Sequence, residues 1–313
     1  MRKQVILGID TSNYTTSCAV CDINGTILAN YKLLLPVKEG ERGLRQSDAV
    51  FAHIKNLQNI ASKIKADHGE YDIVAVGYSA YPRDAENSYM PCFLVGESIA
   101  LLISSLYNIE AYKFSHQNGH VEAALYSSNS NIEGDFIAFH VSGGTTEIIY
   151  VNNNENGYKI DIIGGSNDLH IGQAIDRIGV KMGLPFPAGR YVEALALENT
   201  KEIPISKICV NDYSCNISGL ENLSLKLYEN TNDKALVSAY VLDFISKTLV
   251  LLTKNLRKEY NLPIVYAGGV MSNQIIKTNL KSNFKDVYFA KPEFSSDNAA
   301  GIALLALKKY KRR

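Results

Sequence analysis

Two histidines, His116 and His120, stand four residues apart in the stretch FSHQNGHVEAALY, residues 114–126. The stretch reads as helix, and positions i and i+4 of a helix share one face, so both imidazoles emerge together. The same spacing occurs in the zinc-hydrolase helix H-E-x-x-H, where the glutamate beside the first histidine activates a metal-bound water. Gln117 fills that place here, and an amide cannot take up the proton. The pair therefore offers two metal ligands and no hydrolytic base, which ranks a metalloprotease last among the functions considered. Histidines at this spacing also arise by chance on helices, so a metal site needs a third ligand from elsewhere in the chain.

The elements that must position such a pair show a repeated grammar. QVILGIDTSNYTTSCAVCDINGTILANYKL (4–33) reads as strand, small polar turn, strand, Asn24-Gly25 turn, strand. DFIAFHVSGGTTEIIYVNNNENGYKIDIIGG (135–165) repeats that order, with Asn156-Gly157 as its second turn. An Asn-Gly pair between alternating segments predicts a hairpin. The repeat predicts two related α/β lobes, with the turns Asp10-Thr11-Ser12 and Ser142-Gly143-Gly144-Thr145 facing each other across a cleft. Backbone N–H groups in such turns can surround phosphate oxygens, and an adjacent Asp can hold a metal or a ribose. One such turn alone reads as a hairpin connection; two at corresponding places favour a ligand site.

Apolar residues three and four apart predict helices in AVFAHIKNLQNIASKIKAD (49–67), CFLVGESIALLISSLY (92–107), GQAIDRIGVKMG (172–183), LVSAYVLDFISKTLVLLTKNLRKEY (236–260) and DNAAGIALLALKKYKRR (297–313). A further strand in PIVYAGGVMSN ends at Gly268-Gly269, where a ligand can approach the backbone, and Asn273 opens the next helix within reach of a base or ribose.

A chain of 313 residues, 46% hydrophobic, is long enough for two lobes. The start MRKQVILGIDTS is too short and interrupted for a signal peptide. No later apolar run is read as reaching the roughly 18 residues of a membrane span, so a cytoplasmic protein without membrane contact is expected. Five scattered cysteines argue against a disulfide framework. Cys18 and Cys21 form a C-x-x-C, but on a strand an offset of three sends them to opposite faces. The 32 acidic and 32 basic residues cancel, so no global field draws the chain to nucleic acid, and RNA binding requires local contacts or help.

Eight segments in order make the chain similar to the TsaD/Gcp family of tRNA threonylcarbamoyladenosine transferases, nearly end to end. They are GIDTS (8–12), HQNGH (116–120), VSGGTTE (141–147), GQAIDR (172–177), GLPFPAG (183–189), SGL (218–220), GGVMSN (268–273) and SDNAAGIA (296–303). The resemblance implies an actin, sugar kinase and Hsp70-like (ASKHA) fold. It also implies a first lobe at 1–125 joined by the C-terminal helix 297–313, and a second, nucleotide-binding lobe at 126–296. It implies that His116, His120 and Asp297 bind one metal, Fe2+ or Zn2+, and that Ser142, Gly143, Gly144, Asp176, Gly189 and Asn273 contact the nucleotide. Asp10, Thr11, Thr145, Gly268 and Gly269, from the turns above, complete the candidate ligand-binding set.

The implied reaction moves a threonylcarbamoyl group from threonylcarbamoyl-adenylate to N6 of an adenine beside a tRNA anticodon, with ATP, ADP or AMP as further occupants of the cleft. Implied partners are tRNA, a paralogous subunit of the same fold and, in bacteria, a P-loop ATPase; a homodimer is also left open. Two rivals are a carbamoyl-type transferase acting on another acceptor, and a non-catalytic paralogue that binds nucleotide or metal and pairs with an authentic TsaD.

The chain departs from the family pattern in several places. Asn118 replaces the glutamate of H-x-E-G-H, Gln173 that of G-E-A-F-D, and G-I-E-T-S-C-D-D-T has become Gly8-Ile9-Asp10-Thr11-Ser12-Asn13-Tyr14-Thr15-Thr16. After VGYSA, where a compact glycine-proline-glycine turn is usual, this chain has YPRDAENSYMPCF, which makes Tyr81, Arg83 and Tyr89 available to a different substrate. Of the other histidines, His140 reads as a strand core residue, His170 is left open between a substrate contact and no role, and His53 and His68 have no assigned role. The tail KKYKRR reads as a solvated helix end suited to the helix dipole, or as a contact for tRNA phosphates.

Overall fold

The computed structural model describes residues 2–12, 14–36, 44–67, 71–154, 157–295 and 299–312. Its strands are β1 Lys3–Thr11, β2 Thr15–Asp22, β3 Ile27–Leu34, β4 Tyr71–Tyr81, β5 Glu110–Ser115, β6 Phe136–Val141, β7 Thr146–Asn154, β8 Gly157–Ser166, β9 Cys209–Asn211, β10 Ser214–Asn216, β11 Ile264–Ala267 and β12 Val287–Phe289. Its helices are α1 Gln46–Asp67, α2 Phe93–Tyr107, α3 His116–Ser127, α4 Ile171–Lys181, α5 Gly189–Glu198, α6 Ser218–Thr231, α7 Lys234–Glu259, α8 Gln274–Asn283, α9 Pro292–Ser295 and α10 Ala300–Lys311. The chain divides into two compact units, Met1–Ser127 with Asn153–Lys159 and Glu293–Arg313, and Ser128–Asn152 with Ile160–Pro292.

The first unit carries a five-stranded sheet in the order β3-β2-β1-β4-β5. β1 runs antiparallel to β2 and parallel to β4, which in turn runs parallel to β5. From Val5 onward every residue of β1 is buried, which explains why its sequence reads as a continuous apolar run rather than an alternation. Helices α3 and α10 pack together, and α10 lies along β1 and β4.

In the second unit the order is β12-β11-β6-β7-β8-β10-β9. β6 runs antiparallel to β7 and parallel to β11, and β11 parallel to β12. The run β8-β7-β6-β11-β12 thus copies the first sheet, as the repeated segments predict, and β9–β10 is an addition on its far side. Tyr266 of β11 stacks between Phe139 and Phe289, with ring centroids 4.8 and 5.1 Å away, and its hydroxyl meets Thr253 Oγ1 of α7 at 2.6 Å.

Two expectations change. The sequence places 126–296 in one continuous lobe, whereas the tip of the β7–β8 hairpin, Asn153–Lys159, belongs to the first unit. The Tyr158 hydroxyl there donates to Glu122 of α3, and Lys308 of α10 donates to the same carboxylate at 2.5 Å, so the tip is tied to both helices. Second, α7 is 26 residues long and apolar enough in length and composition to cross a membrane. It is the core helix of its unit: 72% of that apolar window is buried, and Leu249, Leu252 and Leu256 are each at most 1% exposed. Each such burial stabilises the fold by roughly 1.5–3 kcal/mol.

Candidate metal pair and ligand pocket

In the first unit β1 delivers Asp10 and β4 delivers Ser79 one strand away, since Ile9 and Tyr78 are in register. β5 ends at Ser115 and α3 begins with His116. Asp10 is fully buried; its Oδ1 accepts from the Ser79 hydroxyl and lies 3.0 Å from His116 Nδ1. A carboxylate only accepts, so the proton of His116 belongs on Nδ1 and its Nε2 presents a lone pair. That Nε2 lies 2.9 Å from His120 Nε2, with the ring centroids 4.4 Å apart and the rings inclined at 76°.

Nitrogens this close can share one proton or one cation. The donor set suits a divalent metal: two imidazoles converge, and a carboxylate behind one of them fixes its tautomer. Among the described residues the buried Asp10 Oδ2 has no hydrogen-bond partner, and a cation nearby would offset the cost of that buried negative atom. Asp297, the implied third ligand, lies outside the described residues, and among those described no group of three His, Cys, Asp or Glu side chains could hold a metal.

Asp10 and Thr11 both make hydrogen bonds within the first unit. The Thr11 hydroxyl donates to Cys92 O at 3.0 Å and accepts from Gly96 N at 3.2 Å. α3 can lie close to α10 because Gly301 faces Gly119: a Cβ on Gly301 would overlap the Gly119 carbonyl oxygen.

The second unit contains a pocket of about 560 Å³ that gathers Gly143, Asp176, Gly189, Gly269 and Asn273 of the candidate set. Its frame is built from backbone. Ser142 N donates to Thr145 O at 2.8 Å, closing the turn between β6 and β7, and Gly172 N at the start of α4 donates to Ser142 O at 3.2 Å. Gly143 and Gly144 remain exposed at the turn. Gly268, at φ +102°, backs onto the Val141 carbonyl so closely that a Cβ would collide with it, and it does not line the pocket. Asp176 Oδ1 accepts from Ala188 N at 2.7 Å, which ties α4 to the start of α5. Asn273 caps α8 by accepting from Ile276 N.

Three lining residues with polar side chains are absent from the sequence prediction: Arg190, Glu193 and Ser272. Glu193 Oε1 accepts from Gln274 N at 2.6 Å, joining α5 to the first turn of α8. Arg190 and Glu193 follow Gly189 on one helical face, a polar pair that spacing alone could have flagged.

The remaining histidines divide as their surroundings dictate. His53 is fully buried, meets Thr16 Oγ1 at 2.8 Å, and its pKa is lowered, by burial above all. His140 is half-buried in β6, and His170 is half-buried at the N-cap of α4. His68 lies outside the described residues. Cys18 and Cys21 are buried on β2, and all five cysteines are free.

Residues 47–304 match the TsaD family, described as tRNA N6-adenosine threonylcarbamoyltransferase. A protein of that name from Streptococcus suis (strain 05ZYH33) is 29% identical over 327 residues, with 100% of this chain and 94% of the relative covered. Among solved structures, HypF of T. kodakarensis superposes with a TM-score of 0.63 at 10% identity, covering 99% of this chain and 48% of that one. A ROK family glucokinase from Streptomyces griseus does so with a TM-score of 0.51 at 14% identity, covering 96% and 98%. Both structures show the ASKHA fold, and the family match over most of the length settles the closer kinship: the chain belongs to the TsaD family.

Proposed function

We propose that this chain transfers a threonylcarbamoyl group from threonylcarbamoyl-adenylate to N6 of an adenosine beside the anticodon of tRNA. The observation that carries this is the His116–His120 pair, with Nε2 atoms 2.9 Å apart and Asp10 behind His116, in a chain whose relatives bear the name of that activity. In the transfer the N6 amine attacks the carbamoyl carbon and forms the C–N bond. The bond from that carbon to the phosphate oxygen breaks, AMP leaves with the electron pair, and the amine gives up a proton. With so good a leaving group the chief demand on the protein is to hold the two reactants in line.

His116 and His120, with Asp297 as the implied third ligand, would hold one divalent ion, Fe2+ or Zn2+, which supplies Lewis acidity toward a substrate oxygen when bound. Asp10 keeps the His116 Nε2 lone pair aimed at that position. In the second unit the exposed Gly143-Gly144 turn is suited to phosphate oxygens, and Asp176, Glu193 and Asn273 to hydroxyl and amino groups. The absence of net charge supports a tRNA complex that needs partner proteins, a paralogous subunit and a P-loop ATPase among them.

The test is reconstitution of the metal-loaded chain with unmodified tRNA and threonylcarbamoyl-adenylate, with and without bacterial partner proteins, followed by mass spectrometry of digested nucleosides. Threonylcarbamoyladenosine that forms with the wild type and disappears in His116→Ala is the expected result. Its absence while a control TsaD works in parallel would refute the assigned acceptor.

A further inference from the structure

The polar stretch after β4 and the asparagine within the histidine helix meet in the first unit. The first N–H groups of any helix lack intrahelical partners, and the first turn frays unless other groups cap it. In α3 that turn begins with His116 itself. Gln117 N donates to Pro82 O at 3.1 Å, and Asn118 N donates to Ser115 Oγ at 3.1 Å. Ser115, 1% exposed, is oriented for this because its own hydroxyl donates to Asp84 Oδ2 at 2.8 Å.

The Asn118 side chain completes the knot. Its Nδ2 donates to Asp84 Oδ2 and, at 2.7 Å, to Ser115 Oγ, while its Oδ1 accepts from Tyr158 N at 2.7 Å. The Tyr81 phenol is also hydrogen-bonded to Asp84; burial first and that carboxylate second push its pKa up to about 12. A negative charge at a helix N-terminus is favoured by the helix dipole as well. With a carboxylate at 84, Asn118 must donate to it while accepting from Tyr158 N, which a second carboxylate cannot do. A glutamate or aspartate at 118 would set two carboxylates against each other.

We propose that Asp84 is a positioning residue for the metal pair: together with Asn118 it clamps the first turn of α3 and so fixes the aim of His116 toward His120. Asp84 thus supplies, from the loop after β4, the carboxylate that holds the Asn118 amide and the Ser115 hydroxyl at the head of the helix. This rests on His116 and His120 being metal ligands, and the clamp itself is measurable without metal.

The test uses the full-length chain and four proteins: wild type, Asp84→Ala, Asn118→Asp, and the isosteric swap Asp84→Asn with Asn118→Asp. Cobalt(II) alone is titrated and its visible absorption recorded, and amide hydrogen exchange is followed at Gln117 and Asn118 in the metal-free proteins. Asp84→Ala and Asn118→Asp should each weaken cobalt binding about tenfold or more, the usual effect of losing a residue that orients a ligand. Each should also speed exchange at both amides and alter the cobalt spectrum, and the swap should restore all three. Unchanged exchange and affinity in Asp84→Ala, or a swap no better than Asn118→Asp alone, would overturn the proposal. Should the wild type take up no cobalt, the ligand assignment fails and exchange still decides: faster exchange in Asp84→Ala that the swap reverses supports the clamp, and unchanged exchange refutes it.

Discussion

His116 Nδ1 and Asp10 Oδ1 lie 3.0 Å apart across 106 residues of sequence. The contact makes Asp10 a fixed acceptor beneath the first imidazole. The protonated nitrogen faces the sheet, and the lone pair faces His120.

Asp10→Asn keeps the size of the side chain and removes its charge. The amide can bond Nδ1 through its oxygen, but it no longer stabilises a cation at the histidine pair. Affinity for zinc or cobalt is expected to fall between about 10-fold and 100-fold, with little change in the far-ultraviolet circular dichroism. Isothermal titration of both proteins measures it, and equal affinities would show that Asp10 tunes nothing.

Thiol chemistry gives a check on the fold that needs no substrate. Burial above all pushes the Cys18, Cys21 and Cys215 thiols up to about 12 and Cys92 up to about 11, whereas Cys209 is exposed. Only the thiolate reacts. One of the five cysteines should therefore be modified quickly by an aromatic disulfide reagent near pH 8, the rest only on unfolding. Loss of the fast phase in Cys209→Ser identifies it. Rapid labelling of Cys18 or Cys21 in the native chain would contradict the buried β2.

Acid should release the start of α6. Burial tends to raise the pKa of Asp168, but hydrogen bonds from the Ser218 hydroxyl and from the backbone N–H groups of Ile217, Leu169 and Ser218 outweigh it and hold it at about 2. Because the folded value lies below the unfolded one of about 3.9, the stabilisation is present above that value and is lost as pH falls through the folded pKa. Asp168→Asn should melt earlier than wild type near neutral pH, and the gap should close toward pH 2. A gap independent of pH would mean that shape rather than charge matters at this position.

Much of the frame was legible because local chemistry specifies it. Asn24-Gly25 does turn the chain, with Gly25 at φ +93°, and the helix predicted at 92–107 is α2 at Phe93–Tyr107. The His116–His120 pair needed only the helical repeat. What escaped depends on distant strands meeting in register: Ser79 beneath Asp10, Asp84 at the head of α3, and the hairpin tip beside Glu122. No spacing rule reports such contacts. The stretch Tyr81–Tyr89, read from the sequence as available to a different substrate, also caps α3: Asp84 is hydrogen-bonded to Ser115 and Asn118, and Pro82 O accepts from Gln117 N, while Arg83 and Tyr89 stay exposed. Polar composition alone does not distinguish a substrate loop from a cap.

Two helical glycines should respond in opposite ways to the same substitution. At Gly301 a Cβ would overlap the Gly119 carbonyl and crowd Ala123 N, both backbone atoms of α3 that cannot swing aside. At Gly219, in α6, a Cβ would meet nothing within 4 Å. Gly219→Ala should therefore leave stability unchanged or raise it by up to about 1 kcal/mol, since alanine restricts the unfolded chain more than glycine does. Gly301→Ala has to push α10 away from α3 and should cost about 3 kcal/mol, at the upper end of overpacking. Because α3 carries both histidines, the same shift should weaken metal binding, whereas Gly219→Ala should not. Thermal melts and cobalt titrations of the two variants test this. A Gly301→Ala protein that melts and binds cobalt like wild type would show that α3 and α10 are not in backbone contact, and that the histidine helix is not held against α10 in the way its glycine spacing requires.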